Sequence, residues 1–301
     1  MITGDGNCID VYSAEINRMR PACLLILIDH SSSMGSPWAD TGTSMAEQLA
    51  LAVNRLLGNA VLLCSKGDNR VYDYFEIGVI GYGTGVSPAL HGSDAGHIVL
   101  PISQLAEHPK RVDQVTRKIP DGAGGIIEAT LPIPVWVDPV SNGWTPMVAA
   151  LETAERVVAD WCARHQTSFP PIVINVTDGE STDGDPRPAA DRVRSVKTAD
   201  GAVLLFNVHL AAGPRQAVSF PSSPAGLPAS NADVMFEMSS VLPGNLAEAA
   251  AALGYHIEPG SRGFLYNADA TTMIEFLDIG TRAVTPNGLR ELTDGTDDDM
   301  R

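Results

Sequence analysis

The sequence predicts an α/β protein: a doubly wound, mostly parallel sheet with helices on both faces. Three observations carry that expectation. Three apolar runs, at 21–29, 170–179 and 202–211, are continuous rather than alternating, as strands buried on both faces are. The segments between them show helical spacing of apolar residues, and capping signals stand where those helices would begin. Strands alternating with helices in this rhythm imply parallel pairing through crossover connections.

Taken in order, PACLLILID at 21–29 is the first buried strand, and it ends on an acid. After a polar loop, Ser44 and Glu47 form an S-x-x-E capping box, and Met45, Leu49, Val53 and Leu56 recur at helical spacing. YFEIGVIGYG at 74–83 reads as the next strand. From there to Pro139, glycine and proline imply loops with short extended pieces such as IPVWV. A long helix follows within 145–165, with Thr145 suited to the N-cap, Pro146 to the first helical position, and Met147, Leu151, Ala154, Val158 and Trp161 as its apolar stripe. Then come the strand PPIVINVTDG, a helix over about 186–198 with Asp185 as its cap, and the strand AVLLFNVHLA. The stretch 213–232, rich in Pro, Ser and Gly, reads as an exposed loop. The Ala-rich helix LAEAAAALG, a short strand at GFLYNA and the helix TTMIEFLDIG, capped by Asp269, close the pattern.

No linker separates two sets of core elements in the 301 residues, so we expect one enlarged domain over 1–285, with loop insertions at about 84–140 and 213–240. The remainder, 286–301, carries Asp294 and Asp297 to Asp299 with little to bury, which reads as a disordered acidic tail. With 36 acidic against 20 basic side chains the formal charge is −16, which disfavours a nucleic-acid partner and suits cations or basic proteins. No apolar run approaches the roughly 20 residues of a membrane span. The first residues, MITGDGNCID, lack the basic start and apolar stretch of a secretory signal, and the 4 cysteines form no C-x-x-C pair. A cytoplasmic protein with reduced thiols is therefore expected, with neither a disulfide framework nor a thiolate zinc site.

In an open α/β sheet, ligands bind where strands end at their carboxyl side, so the polar residues there bear on function. The first strand runs into Asp29-His30-Ser31-Ser32-Ser33, a D-x-S-x-S motif; the strand at 170–177 runs into Thr177-Asp178-Gly179-Glu180; and Thr145 opens the long middle helix. Each offers only oxygen. Two carboxylates with three hydroxyls are hard donors that suit Mg²⁺ or Mn²⁺ and disfavour zinc. In an extended loop the alternate residues Asp29, Ser31 and Ser33 face one crevice. Glu180 and Asp183 read as a solvated acidic loop, His30 as a satisfied or exposed histidine, and Gly81-Tyr82-Gly83-Thr84-Gly85 as a turn. The sequon Asn175-Val176-Thr177 falls in a predicted buried strand and reads as coincidence.

These three motifs, in this order over about 22–283, resemble the von Willebrand factor A (VWA) domain. The resemblance implies a Rossmann-like fold and a metal-ion-dependent adhesion site in which Ser31, Ser33 and Thr145 hold Mg²⁺ directly, with Asp29 and Asp178 behind them through water. Neutral ligands leave the cation electrophilic, so a partner's Asp or Glu carboxylate completes the shell. The closing pattern at 260–284 looks like bacterial cytosolic VWA proteins associated with tellurium resistance, which implies a stress-response or signalling complex and, as partner candidates, a protein kinase, a PPM-type phosphatase or a MoxR-type ATPase. The sequence departs from such proteins at Trp144, where a small residue is usual before the threonine; an indole there lines or narrows the partner groove. No nucleophile and base pair stands near the motifs, so no enzyme is expected. Two alternatives stay open: a haloacid dehalogenase-like phosphoesterase, which requires a second acid where this chain has Ser31, and a metal-independent scaffold acting through 213–232 or the acidic tail.

Overall fold

The structure, a computed structural model, describes residues 12–38, 42–65, 70–120, 126–210, 217–227, 230–269, 272–273 and 275–276. The acidic segment expected at 286–301 lies outside them, as does most of the closing helix. The order is β1 (Ala22–Asp29), α1 (Met45–Cys64), β2 (Phe75–Tyr82), β3 (Val86–Pro88), β4 (Val99–Pro101), α2 (Ile102–Glu107), β5 (Arg111–Pro120), β6 (Ile126–Val135), α3 (Met147–Arg164), β7 (Ile172–Thr177), α4 (Arg187–Ser195), β8 (Lys197–Thr198), β9 (Gly201–Ala202), β10 (Leu204–Leu210), β11 (Val218–Ser219), α5 (Ser230–Met238), α6 (Gly244–Ala252) and β12 (Phe264–Ala268).

The main sheet runs β11-β12-β10-β7-β1-β2-β3, with β4 also paired to β2. Its five central strands, β12, β10, β7, β1 and β2, are parallel, and β11, β3 and β4 add antiparallel pairs at the edges. The mixed α/β class and the mostly parallel sheet therefore stand as read from the sequence. All eight residues of β1 are buried, because both faces are covered. Leu24, Ile26 and Ile28 pack with Leu49, Val53 and Leu56 of α1 and with Leu246 of α6, while Cys23, Leu25 and Leu27 belong to the opposite core with Leu151 and Val158 of α3 and Val193 of α4. The capping box at the start of α1 is formed: Glu47 N–H donates to Ser44 Oγ at 3.2 Å, and Ser44 N–H to Glu47 Oε2 at 2.7 Å. At the closing helix, Thr272 N–H donates to Asp269 Oδ1 at 2.7 Å. Among the described residues no helix is long and apolar enough to cross a membrane.

A polar chain crosses the sheet inside this apolar setting. Tyr82 OH donates to Asn175 Oδ1 at 2.7 Å, Asn175 Nδ2 to Asn207 Oδ1 at 3.0 Å, and Asn207 Nδ2 to Ser239 Oγ at 2.9 Å. All four residues are fully buried. Each group has a partner, which a low-dielectric interior demands.

Three sequence expectations need correction. The stretch from 84 to 140 holds more regular structure than loops, since β5 and β6 form a ten-pair antiparallel ribbon. Proline at 120, 132 and 134 breaks the strand signature, and an isolated ribbon tolerates it because its outer edges need no ladder bonds. The insertion expected at 213–240 contains α5, a helix that buries Ala232, Met235, Phe236 and Met238 behind the Pro- and Ser-rich run that masked its periodicity. The helix expected over 186–198 ends at Ser195, where the two-residue strands β8 and β9 begin.

The buried chain is testable. Asn175→Leu keeps the volume but strips Tyr82 and Asn207 of a partner, so unfolding free energy in urea is expected to fall by about 3 kcal/mol; an unchanged midpoint would mean that these bonds add nothing net.

Candidate metal centre

β1 pairs with β2 on one side and with β7 on the other. The chain therefore leaves β1 toward one half of the sheet and returns to the other half through β7, and the crevice lies at that reversal, beyond the carboxyl ends of β1 and β7. Asp29 is the last residue of β1, Thr177 the last of β7, and Asp178 follows directly.

Asp29 is 1% exposed. Its Oδ1 accepts the Ser31 N–H at 2.7 Å, and its Oδ2 accepts the Thr177 hydroxyl at 2.5 Å. Ser31 is extended, with φ −60° and ψ 159°, which carries the chain into a single 3₁₀ turn at Ser32–Gly35. Ser31 Oγ and Ser33 Oγ stand 2.9 Å apart, and Ser33 Oγ donates to Asp178 Oδ1 at 2.8 Å. Hydrogen bonds thus link Asp29, Ser31, Ser33 and Asp178 in one row. Thr145 joins from a third segment: a Cβ on Gly179 would lie 3.8 Å from Thr145 Oγ1. Of the five residues singled out in the sequence, four are linked by hydrogen bonds and Thr145 stands beside the residue that follows Asp178.

Thr145 is aimed by its loop. Asn142 N–H donates to His30 O at 2.5 Å, Ser32 N–H to Gly143 O at 3.1 Å, and Trp144 N–H to Gly83 O at 3.3 Å. Gly143 has φ +101°, and a Cβ there would stand 2.5 Å from Thr84 N, so the crossing admits only glycine. On the other side, Thr145 N–H donates to Thr182 Oγ1 at 3.1 Å while Thr182 N–H donates to Thr145 O at 2.9 Å. Trp144 is left 75% exposed beside the crevice.

Two local readings are overturned here. Thr145 is not the cap of the middle helix: the N-cap position is Pro146, whose side chain offers no acceptor. The cap comes from Asp183, whose two oxygens accept the N–H groups of Val148 and Ala149, each at 3.0 Å. Asp183 is thus an exposed charge that also caps the helix from another segment, whereas Glu180 is simply exposed. Freed from capping, the Thr145 hydroxyl can serve the crevice. His30 is not satisfied either: its ring packs over Gly81, and Nε2 is buried with no hydrogen-bond partner among the described residues. Burial holds its pKa below the ordinary value.

Burial raises the Asp29 carboxyl to about 6, against the opposing pull of its hydrogen bonds from Thr177 and Ser31, and the charge of Asp178 adds to the rise. Asp178 is also raised by burial, with the Ser33 hydroxyl opposing. Buried Asp29, held by the Ser31 amide and the Thr177 hydroxyl, and half-buried Asp178, held by the Ser33 hydroxyl, have no cationic side chain bonded to them among the described residues and form a donor set that fits a hard divalent cation. Among the described residues no group of three or more His, Cys, Asp or Glu side chains is placed to hold a metal, so a cation here would depend on Ser31, Ser33 and Thr145 as much as on the acids. Thr177 and Asp183 each act on a residue of another segment, which spacing alone does not reveal.

No family model and no curated protein matches the chain. Solved structures with similarity include proximal thread matrix protein 1 from the mussel byssus, 14% identical with a TM-score of 0.41, covering 76% of this chain and 43% of that one. The pilus adhesin SpaC from Lactobacillus rhamnosus GG is 13% identical with a TM-score of 0.46, over 91% of this chain and 32% of that one. A third, spanning the three N-terminal domains of the type V pili tip protein Mfa5 from Porphyromonas gingivalis, is 13% identical with a TM-score of 0.30, over 54% of this chain and 20% of that one. The chain thus spans less than half the length of each.

Two outcomes are expected. A carboxyl raised from 3.8 to about 6 binds its proton earlier in the folded state, so without metal its share of stability grows as pH falls from 7 toward 4. Asp29→Asn should remove that slope and stabilise the metal-free protein at pH 7.5 by up to about 3 kcal/mol, read by urea unfolding across pH; a less stable variant at neutral pH contradicts the desolvation account. Asp183→Ala should cost about 1–2 kcal/mol through loss of the α3 cap, whereas Glu180→Ala should change stability by less than about 0.5 kcal/mol.

Proposed function

We propose that this chain is a VWA-type protein-interaction module that binds its partner through a divalent cation. The reading is carried by one observation: residues from three separate segments, Asp29-Ser31-Ser33, Thr145 and Asp178, lie at the sheet's reversal point, with Asp29 held by the Ser31 amide and the oxygens of Ser31, Ser33 and Asp178 joined in one row. In this reading Ser31, Ser33 and Thr145 hold Mg²⁺, or Mn²⁺, and Asp29 and Asp178 supply the charge behind them. The cation, when bound, supplies an electrophilic position for a carboxylate from an Asp or Glu of a protein partner.

What the chain's own residues do in that event follows from their bonds. Thr177 and the Ser31 amide hold the Asp29 carboxylate still, and Thr182 with the Gly143 crossing holds Thr145. Preorganised oxygens lower the cost of binding, since little side-chain freedom remains to be lost. Exposed Trp144 stands beside the crevice, where a partner would meet it. A phosphoesterase with Asp29 as nucleophile is disfavoured by the same geometry: both of its oxygens already accept hydrogen bonds, and the side chain is 1% exposed.

Isothermal titration of Mg²⁺ and Mn²⁺ into chelator-treated protein tests the reading. One site is expected, weakened at least tenfold in Asp29→Ala and in Thr145→Ala, with each variant retaining the wild-type circular dichroism spectrum. Equal heats for all three proteins, or partner capture from the native cell that is indifferent to chelator, would leave a metal-independent scaffold as the better account.

A further inference from the structure

Beside the crevice a cavity of about 260 Å³ opens between the loop after β7 and α5, lined by Met147, Gly179, Arg187, Val234, Met235 and Met238 among others. Its walls are continuous with the candidate centre. Gly179 follows Asp178 directly, Met147 comes two residues after Thr145, and the Thr145 hydroxyl is 3.8 Å from the Cβ position of Gly179. Gly179 therefore lines the cavity and stands beside the Thr145 hydroxyl, so a ligand at the centre has this mouth within reach.

The lining says what would enter. Met147, Met235 and Met238 are 2%, 2% and 0% exposed, so the floor is apolar and sealed from below. Asn175 Nδ2 touches Met147 Sδ at 3.9 Å, which ties that floor to the buried polar chain. At the rim, Arg187 is already paired, to Asp185 at 2.9 Å and to Glu237 at 3.0 Å, and offers no unsatisfied charge to a ligand anion. The volume is below the roughly 300–1,000 Å³ of small-molecule sites, yet it suits one large side chain. Thioether side chains repack at little cost, so several apolar shapes fit.

Resting on the function proposed above, we infer that this cavity is a second subsite for the same partner: it takes one apolar side chain from a residue adjacent to the acid that reaches the cation. The partner segment is then an acidic residue flanked by Leu, Met or a similar apolar residue, held at two points rather than one.

Capped peptides test this directly. Ac-Gly-Asp-Leu-Gly-NH₂, its Leu-Asp isomer and Ac-Gly-Asp-Gly-Gly-NH₂ are titrated at 10 mM Mg²⁺ into protein labelled with ¹³C at the methionine methyls. At least one leucine peptide is expected to bind about 10- to 100-fold tighter than the glycine peptide and to shift the Met235 and Met238 methyls. Val234→Trp, at the half-buried rim, should abolish that advantage while leaving the Mn²⁺ titration unchanged; the methyl shifts in the wild type carry the test if this variant does not fold. Equal, Mg²⁺-dependent affinities for leucine and glycine peptides would overturn the subsite and leave the cation reading standing. No Mg²⁺-dependent binding of any peptide would overturn both.

Discussion

The hydrogen bond from Thr177 to Asp29, across the ends of β7 and β1, is the interaction on which the crevice depends. Parallel pairing with Ile28 opposite Val176 sets the last residues of both strands side by side, and the 2.5 Å contact closes the row. Without that partner Oδ2 of Asp29 would be left without its donor, at a position only 1% exposed. With it, the Asp29 oxygens are oriented so that the Ser31 amide meets the other one, and the chain leaves β1 extended. The placement of both serines follows from that exit.

Two acids are thereby kept close in a poorly solvated place. Both carboxyls are raised, and in each the first cause is burial. A fold tolerates such a cost where something outside offsets it, and hydroxyls soften it without neutralising it. An arginine in the crevice would have stabilised the pair more, and would also have closed it to a cation. Serine and threonine leave the charge available, which is the electrostatic basis of the cation proposed above.

Much of this was legible in the sequence, and the reasons are specific. β1, β7 and β10 are buried on both faces, so their apolar runs are uninterrupted and stand out. Ser44 and Glu47 act within four residues of each other, so a local motif suffices. The five crevice residues each follow or precede such an element, and knowing where strands end is enough to group them. Asp183 eluded this reading because the amides it caps lie 34 and 35 residues upstream. α5 eluded it because a short helix after a Pro- and Ser-rich run has little room to establish a period. The ribbon of β5 and β6 was hidden by prolines that a central strand would not admit.

The roles of Thr145 and Asp183 are coupled by a simple accounting of donors and acceptors. A helix start leaves amide groups without partners, and a threonine preceding it would ordinarily turn its hydroxyl inward to accept one of them. Here Val148 and Ala149 are served from the loop after β7, by the same segment whose Thr182 grips the Thr145 backbone. Capping from outside the helix therefore fixes the position of Thr145 and releases its side chain at once. The loop after β7 also supplies Asp178 and one wall of the methionine-lined cavity. Any movement of that loop would change the donor row, the threonine and the cavity mouth together, so the three are structurally coupled rather than independent features.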